Sequence, residues 1–191
     1  MKNLAFLTLT LILSASTFAQ KVDPLLSVVL PIDSTTSKIS FIEVVKVDSL
    51  TKDQIYSLSR QWFSQTFKSA ESVLDLEDKE NGQLIGKGFS DIEWGFGPIK
   101  MWYTIQLFSK DGRYRLCITN ITYETYPNSV YPNGTKYTSE EMIIDTKLYK
   151  SNGSPRSVQA HYKRATLKEI EQIKRSVRSF IKRASNKKND W

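Results

Sequence analysis

Few side chains in this sequence can act as nucleophiles or as soft metal ligands. Cys117 is the only cysteine and His161 the only histidine, so a Cys–His nucleophile could be built only from this pair. Cys117 stands between Leu116 and Ile118, where a free cysteine usually serves as a small buried hydrophobe. We therefore expect no catalytic cysteine, no zinc site and no cofactor.

Carboxylates offer a second chemistry, hydrolysis by two acids that face each other across a cleft. Asp91, Glu93 and Glu124 could supply such a pair, but the sequence does not give their separation. A further acidic cluster lacks the ligand spacing of a calcium loop and is interrupted by Lys79. That cluster consists of Asp75, Glu77, Asp78 and Glu80. An envelope hydrolase is thus an alternative hypothesis, while the sequence favours a non-enzymatic protein.

A β-hairpin provides the most informative candidate for binding. Asp111-Gly112 separates the runs 100–108 and 114–123 and suits a two-residue hairpin turn. This turn places Leu107 opposite Leu116 and Ile105 opposite Ile118, on a side that also holds Tyr103. The other side then mixes aromatic, basic and hydroxyl groups. The residues on this side that are predicted to contact a binding partner are Trp102, Phe108, Arg115 and Tyr123.

Whether that second side is exposed is left open by the sequence. Large exposed apolar patches mark interaction sites, but they are rare on monomers. Trp94, Phe96 or the loop at 125–139 could equally fold over it. A binding surface and a small second core therefore remain alternatives.

The sequence predicts two amphipathic helices that pack against the sheet. Thr51 precedes Gln54 at capping-box spacing, and an apolar stripe follows as far as Phe67. Thr166 and Glu169 repeat the spacing and predict a second helix from Thr166 to about Ala184. The apolar positions of the two stripes are Ile55, Leu58, Trp62, Phe63 and Phe67, then Leu167, Ile170, Ile173, Val177, Phe180 and Ile181.

Positive charge is concentrated at the C-terminal end. The segment 163–191 holds 10 of the 27 Lys and Arg residues and 3 of the 20 Asp and Glu residues, an excess equal to the whole net charge of +7. Such an end could associate with an anionic surface, or could simply be a solvated helix face. The basic face is expected to consist of Lys168, Arg175, Arg178 and Lys182.

The order of the patterns predicts the fold class. A strand at 38–47 precedes the first helix, several antiparallel strands follow, and the second helix comes last. Two apolar helix stripes need a common apolar surface, which one side of a meandering sheet provides. We predict an α+β protein, β-α-β-β-β-β-α, with both helices on one face. The predicted divisions are a lead-in at 20–37, one domain at 38–184 and a tail at 185–191.

The first nineteen residues are typical of a secretory signal. Lys2 is followed by an uncharged apolar run from Leu4 to Leu13, and Thr17 and Ala19 form a small-x-small cleavage pattern. The run is too short to cross a bilayer, which takes about 20 residues. We expect an exported periplasmic or secreted protein that is not transmembrane after cleavage. Its candidate partners are an envelope protein, a glycan or an anionic surface, and nucleic acid is disfavoured.

Three stretches resemble a known family: 30–70, the LIGKG segment at 84–88 and the SKDGRYR segment at 109–115. Their order is similar to that in an uncharacterised family of exported bacterial proteins, described as a domain of unknown function with a TBP-like fold. The resemblance covers roughly 30–180. It implies the same β-α-β-β-β-β-α architecture and brings no activity and no functional residues. The fold label does not imply DNA binding, since a fold does not fix a function.

Overall fold

The computed structural model describes residues 23–67, 74–93, 95, 97–129 and 131–187. The predicted signal peptide at 1–19 lies outside these residues, as do Trp94 and Phe96, which were considered as a cover for the sheet.

In the part of the chain that the structure describes, six antiparallel strands form one sheet, and its order confirms the predicted meander. Along the sheet the order is β1-β5-β4-β3-β2, and β6 also pairs with β5. β1 and β6 occupy the same edge of β5, because β1 pairs with its first half and β6 with its second. The strands are β1 Phe41–Lys46, β2 Leu74–Asp78, β3 Gln83–Glu93, β4 Pro98–Lys110, β5 Arg113–Thr125 and β6 Lys136–Thr138.

Among the described residues four helices accompany the sheet: α1 Lys52–Thr66, α2 Ser139–Met142, α3 Asp145–Leu148 and α4 Ser157–Lys187. The capping box at Thr51 and Gln54 is present, and α1 ends within a residue of the predicted position. The prediction that the last helix begins at Thr166 is wrong. Thr166 is buried inside α4, where its hydroxyl bonds to Tyr123 instead of capping a helix.

Both long helices pack on one side of the sheet, as predicted. Trp62 of α1 donates its indole N–H to the Ser176 hydroxyl of α4 at 2.9 Å, so the helices also contact each other. Phe67, which caps α1, lies against Gly88 of β3, and a Cβ added at Gly88 would come within 2.4 Å of its ring. These contacts belong to a single core cluster that contains residues of both helices and of the central strands.

A bulge in β5 changes which side chains face the helices. Trp102 pairs with Thr122 but Thr104 pairs with Thr119, so β5 holds one extra residue between these positions. Asn120 absorbs it with a φ of 52°, a left-handed conformation that asparagine tolerates better than most residues. Beyond the bulge the alternation of β5 is inverted, which turns Ile121 and Tyr123 toward the helices.

The segment before β1 is anchored to α4 rather than loosely attached. The Lys163 side chain is fully buried, and its Nζ donates to the Leu26 carbonyl at 3.0 Å and to Asp145 Oδ1 at 3.1 Å. Arg164 forms an ion pair with Asp23. Leu26 itself is buried in a small cluster with Leu148 and Ala160. A lysine ammonium thus ties the lead-in to the domain.

Candidate functional site

The four predicted contact residues do not form one surface. Trp102, Phe108 and Arg115 lie on the side of the sheet that faces away from the helices, which we call the open face. The prediction for Tyr123 is wrong, because the bulge at Asn120 turns its ring into the core. Its hydroxyl is fully buried against Thr166 at 2.6 Å, and burial raises its pKa.

Phe108 and Arg115 form the centre of the candidate site. They pair across β4 and β5, and the Arg115 guanidinium carbon lies 4.4 Å from the centre of the Phe108 ring. This distance is typical of a cation–π contact, which holds the guanidinium over the ring. The two side chains lie beside the hairpin turn at one end of the open face.

Three further cations extend this pair in a row across the sheet. The register places Lys46 beside Arg113, and Arg113 beside Lys110. Among the described residues, none of these three cations nor Arg115 has an ion-pair partner. Like charges directly opposite each other in a sheet are destabilising. The row therefore costs folding stability and concentrates positive potential at this end of the sheet.

A pocket of about 290 Å³ lies at this end of the open face. We define the hairpin site as five of the residues that line this pocket: Val44, Phe108, Lys110, Arg113 and Arg115. Asp48 and Asp111 belong to the adjoining turns, and Asp111 accepts a hydrogen bond from the Lys52 amide. The hairpin site thus combines an apolar floor with three cations.

Exposed apolar side chains continue from the hairpin site along β1. Ile42 is 54% exposed and Val44 59% exposed, although both belong to a strand of the main sheet. In the next row of the sheet the register places Ile42 beside Cys117, and Cys117 beside Gln106. None of the described helices covers these side chains, since α1 and α4 occupy the opposite side.

Trp102 lies at the other end of the open face, about 20 Å along β4 from Phe108. Its ring packs on Phe89 with centroids 4.8 Å apart, and its indole N–H donates to Glu124 at 2.8 Å. Lys100 is held between aromatic rings, 5.2 Å from the centre of Phe89 and 5.3 Å from that of Tyr126. Here the side chains satisfy one another, so this end is a small packed cluster.

Two of the three carboxylates considered for hydrolysis, Asp91 and Glu124, belong to that cluster. Asp91 accepts a hydrogen bond from the Tyr126 hydroxyl at 2.7 Å, which raises the pKa of the tyrosine. Glu124 accepts from Trp102 and forms an ion pair with Lys136 at 3.5 Å. The register also places Lys100 between Asp91 and Glu124. Both acids therefore serve as acceptors for neighbouring donors on the sheet.

The Cys–His pair is not assembled. Cys117 lies on the open face, where its sulfur is 3.9 Å from the Ser40 hydroxyl. His161 lies on α4, beside Gly95 in the turn between β3 and β4. Among the described residues there is no group of three or more His, Cys, Asp or Glu placed to hold a metal ion.

The predicted basic face of α4 is exposed as expected. All four residues are exposed, but Arg178 forms an ion pair with Glu43 of β1. This leaves Lys168, Arg175 and Lys182 as the solvated cations of the face. In the part of the chain that the structure describes, no helix has the length and apolar character required to span a membrane.

Sequence reasoning missed three members of the hairpin site: Val44, Lys110 and Arg113. The Asp111-Gly112 turn was a sufficient signal for two of them, because a two-residue turn makes Lys110 and Arg113 direct neighbours. Val44 could not be found in this way, since its position depends on the pairing of β1 with β5 across more than sixty residues of chain.

Comparison with known proteins bears out the resemblance and the fold. Residues 41–124 match the family model described as a domain of unknown function (DUF4468) with TBP-like fold. A DUF4468 family protein from Bacteroides ovatus superposes with a TM-score of 0.66 at 19% identity, covering 80% of this chain and 90% of that one. A TBP-like protein from Parabacteroides distasonis gives 0.64 at 16% identity, covering 80% and 97%. No curated protein matches the chain. At these identities the structural likeness establishes the fold alone.

Proposed function

We propose that this chain, whose residues 41–124 match the DUF4468 family with its TBP-like fold, is an exported, non-enzymatic binding module. Its partner is a protein segment that presents acidic and apolar side chains to the hairpin site. The observation that carries the proposal is the row of cations without ion-pair partners among the described residues, beside an exposed apolar floor on the open face.

The positive charge at the hairpin site favours an acidic partner. Lys46, Lys110 and Arg113 are neighbours in one row, and Arg115 belongs to the next. Each like-charge cross-strand pair costs on the order of 0.2–1 kcal/mol of folding stability. A carboxylate-bearing segment would relieve this repulsion, and Arg115, already oriented over Phe108, could donate two hydrogen bonds to one carboxylate.

The size of the pocket favours a protein segment over a small molecule as the partner. The pocket of about 290 Å³ falls at the lower limit of ligand pockets, which range over about 300–1,000 Å³. It suits one or two anchoring side chains. Ile42 and Val44 extend the apolar surface beyond the pocket along β1, as an interface with a continuous segment requires.

Reversing charge at the hairpin site should abolish binding of an acidic amphipathic peptide. The probe is a fluorescein-labelled peptide of alternating aspartate and phenylalanine, and the measurement is fluorescence anisotropy at low and at high salt. The double variant Lys110→Glu and Arg113→Glu should bind at least about tenfold more weakly than the wild type. Binding to the wild type should weaken as salt increases, because salt screens exposed charges.

A matched control separates the site from net charge. The double variant Lys168→Glu and Arg175→Glu makes the same change in net charge on the solvated face of α4. It should retain wild-type affinity, and thermal melts should show that both double variants fold. Equal loss of binding in the two double variants would refute the hairpin site, and loss in the α4 variant alone would favour association through the basic helix.

Export is the second part of the proposal, and it is supported by Lys2, the apolar run from Leu4 to Leu13 and the small residues Thr17 and Ala19. When the full chain is produced with its own N-terminus in a bacterial host, the protein recovered from the periplasm or the medium should begin at Gln20. N-terminal sequencing and intact mass measure this. Replacing Ala19 by a bulky residue should block cleavage, and recovery of an uncleaved cytoplasmic chain from the wild type would contradict export.

A further inference from the structure

A second pocket lies at the opposite end of the sheet from the hairpin site. It has a volume of about 710 Å³ and is bounded by the start of β4, the end of β5, the loop that leads to β6, and the first turns of α4. Four of the residues that line it are tyrosines: Tyr126, Tyr131, Tyr137 and Tyr162. The volume is within the range of sites that enclose a small organic ligand.

The chemistry of the lining is aromatic and neutral. None of the described residues that line the pocket carries a charge; beside the tyrosines it presents the hydroxyls of Thr125 and Thr135 and the amides of Asn128 and Gln159. Among the described contacts no hydrogen bond occupies the hydroxyl of Tyr131 or of Tyr137, and Tyr131 is 58% exposed. The pocket thus offers apolar ring faces together with neutral donors and acceptors.

The wall of the pocket is held in place by its own backbone. Thr125 and Thr135 are joined by two hydrogen bonds, amide to carbonyl at 2.9 Å and amide to hydroxyl at 2.8 Å. Asn128 accepts from the Tyr131 amide at 2.8 Å, which closes the turn that carries Tyr131. Gly134 has a φ of 67°, and a Cβ there would lie 2.3 Å from the Thr125 carbonyl oxygen, so only glycine fits. These contacts hold Thr125, Tyr131 and Thr135 in place before a ligand binds, which limits the ordering cost of binding.

We propose that this tyrosine pocket binds a neutral saccharide. A sugar ring has an apolar C–H face that packs on aromatic rings and a periphery of hydroxyls that need neutral hydrogen-bonding partners. The lining supplies both, and it lacks the cations that an anionic ligand would require. A proline-rich peptide also packs on aromatic grooves, but it would offer few partners to the hydroxyls of Tyr131 and Tyr137.

The test is titration of the isotopically labelled protein, residues 20–191, with maltohexaose, cellohexaose and mannohexaose. At millimolar concentration at least one of the three should shift the backbone resonances of Tyr131, Tyr137 and Gln159. Replacing Tyr131→Ala should weaken that binding at least about tenfold, whereas Tyr131→Phe, which keeps the ring, should retain most of it.

Two controls make the result decisive. Phe89→Ala removes an exposed aromatic ring from the open face and should leave saccharide binding unchanged. A decaproline peptide should cause no shift at the pocket. The proposal is overturned if no saccharide shifts the pocket resonances, if decaproline shifts them instead, or if Tyr131→Ala binds as tightly as the wild type.

Discussion

Replacing Trp62 by alanine should lower the free energy of unfolding by about 3–5 kcal/mol. Trp62 is 1% exposed and lies where α1, α4 and the sheet meet. Its ring packs edge-on against Phe63 and Phe67 at centroid distances of 5.1 and 5.9 Å, and its N–H bonds to Ser176. The substitution removes all of these contacts and leaves a cavity that two rigid helices cannot close.

Trp102 provides the matched control, because it is the same residue type on the open face. Trp102→Ala should cost only about 1 kcal/mol, since its ring contacts Phe89 at the edge of solvent and its hydrogen bond to Glu124 can be replaced by water. Urea-induced unfolding followed by circular dichroism measures both losses. Similar losses for the two tryptophans would show that the open face is a second core, contrary to the proposed role of that face.

The features that the sequence predicted correctly are those that depend on near neighbours. The capping box at Thr51 requires only residues three positions apart, and the Asp111-Gly112 turn sets the register of β4 and β5 through a conformation local to the turn. The shared helix side of the sheet followed from two apolar stripes that had to be buried together. Local hydrogen bonding and the burial of a helix face were therefore sufficient for the architecture.

The candidate site was predicted only in part, because tertiary contacts override the local pattern at three places. Asn120 inserts an extra residue into β5, and a single bulge inverts the alternation on which the assignment of Tyr123 depended. Thr166 has capping-box spacing but lies inside α4, where the Tyr123 hydroxyl is its partner. Val44 joins the hairpin site only through the pairing of β1 with β5. Neither this long-range pairing nor the bulge leaves a signal within a short window of sequence.

Replacing Lys163 by methionine should lower the free energy of unfolding by about 1–3 kcal/mol and loosen the segment that precedes β1. Methionine keeps an unbranched apolar stem but cannot donate to the Leu26 carbonyl, which in the wild type accepts from Lys163 at 3.0 Å. The Tyr149 hydroxyl is the other donor to that carbonyl, at 3.3 Å, and should compensate only partly. The double variant Lys163→Met and Tyr149→Phe should therefore lose more stability than the single variant. Hydrogen exchange at the Leu25 and Leu26 amides should accelerate, because both bond to Asp23 within the same segment.

Lys174→Met is the control for this prediction. Lys174 also lies on α4 and has a side chain only 17% exposed, but its ion pair is with Glu171, whose side chain is 59% exposed. Such a pair contributes about 0–1 kcal/mol, and methionine keeps an unbranched stem where the Lys174 ammonium lies 5.8 Å from the centre of the Phe41 ring. Exchange in the lead-in segment should be unchanged in this variant. If Lys163→Met and Lys174→Met had the same stability and the same exchange rates, the buried ammonium would have no anchoring role. The lead-in would then be held by the apolar cluster of Leu26 and Leu148 and by the ion pair of Arg164 with Asp23.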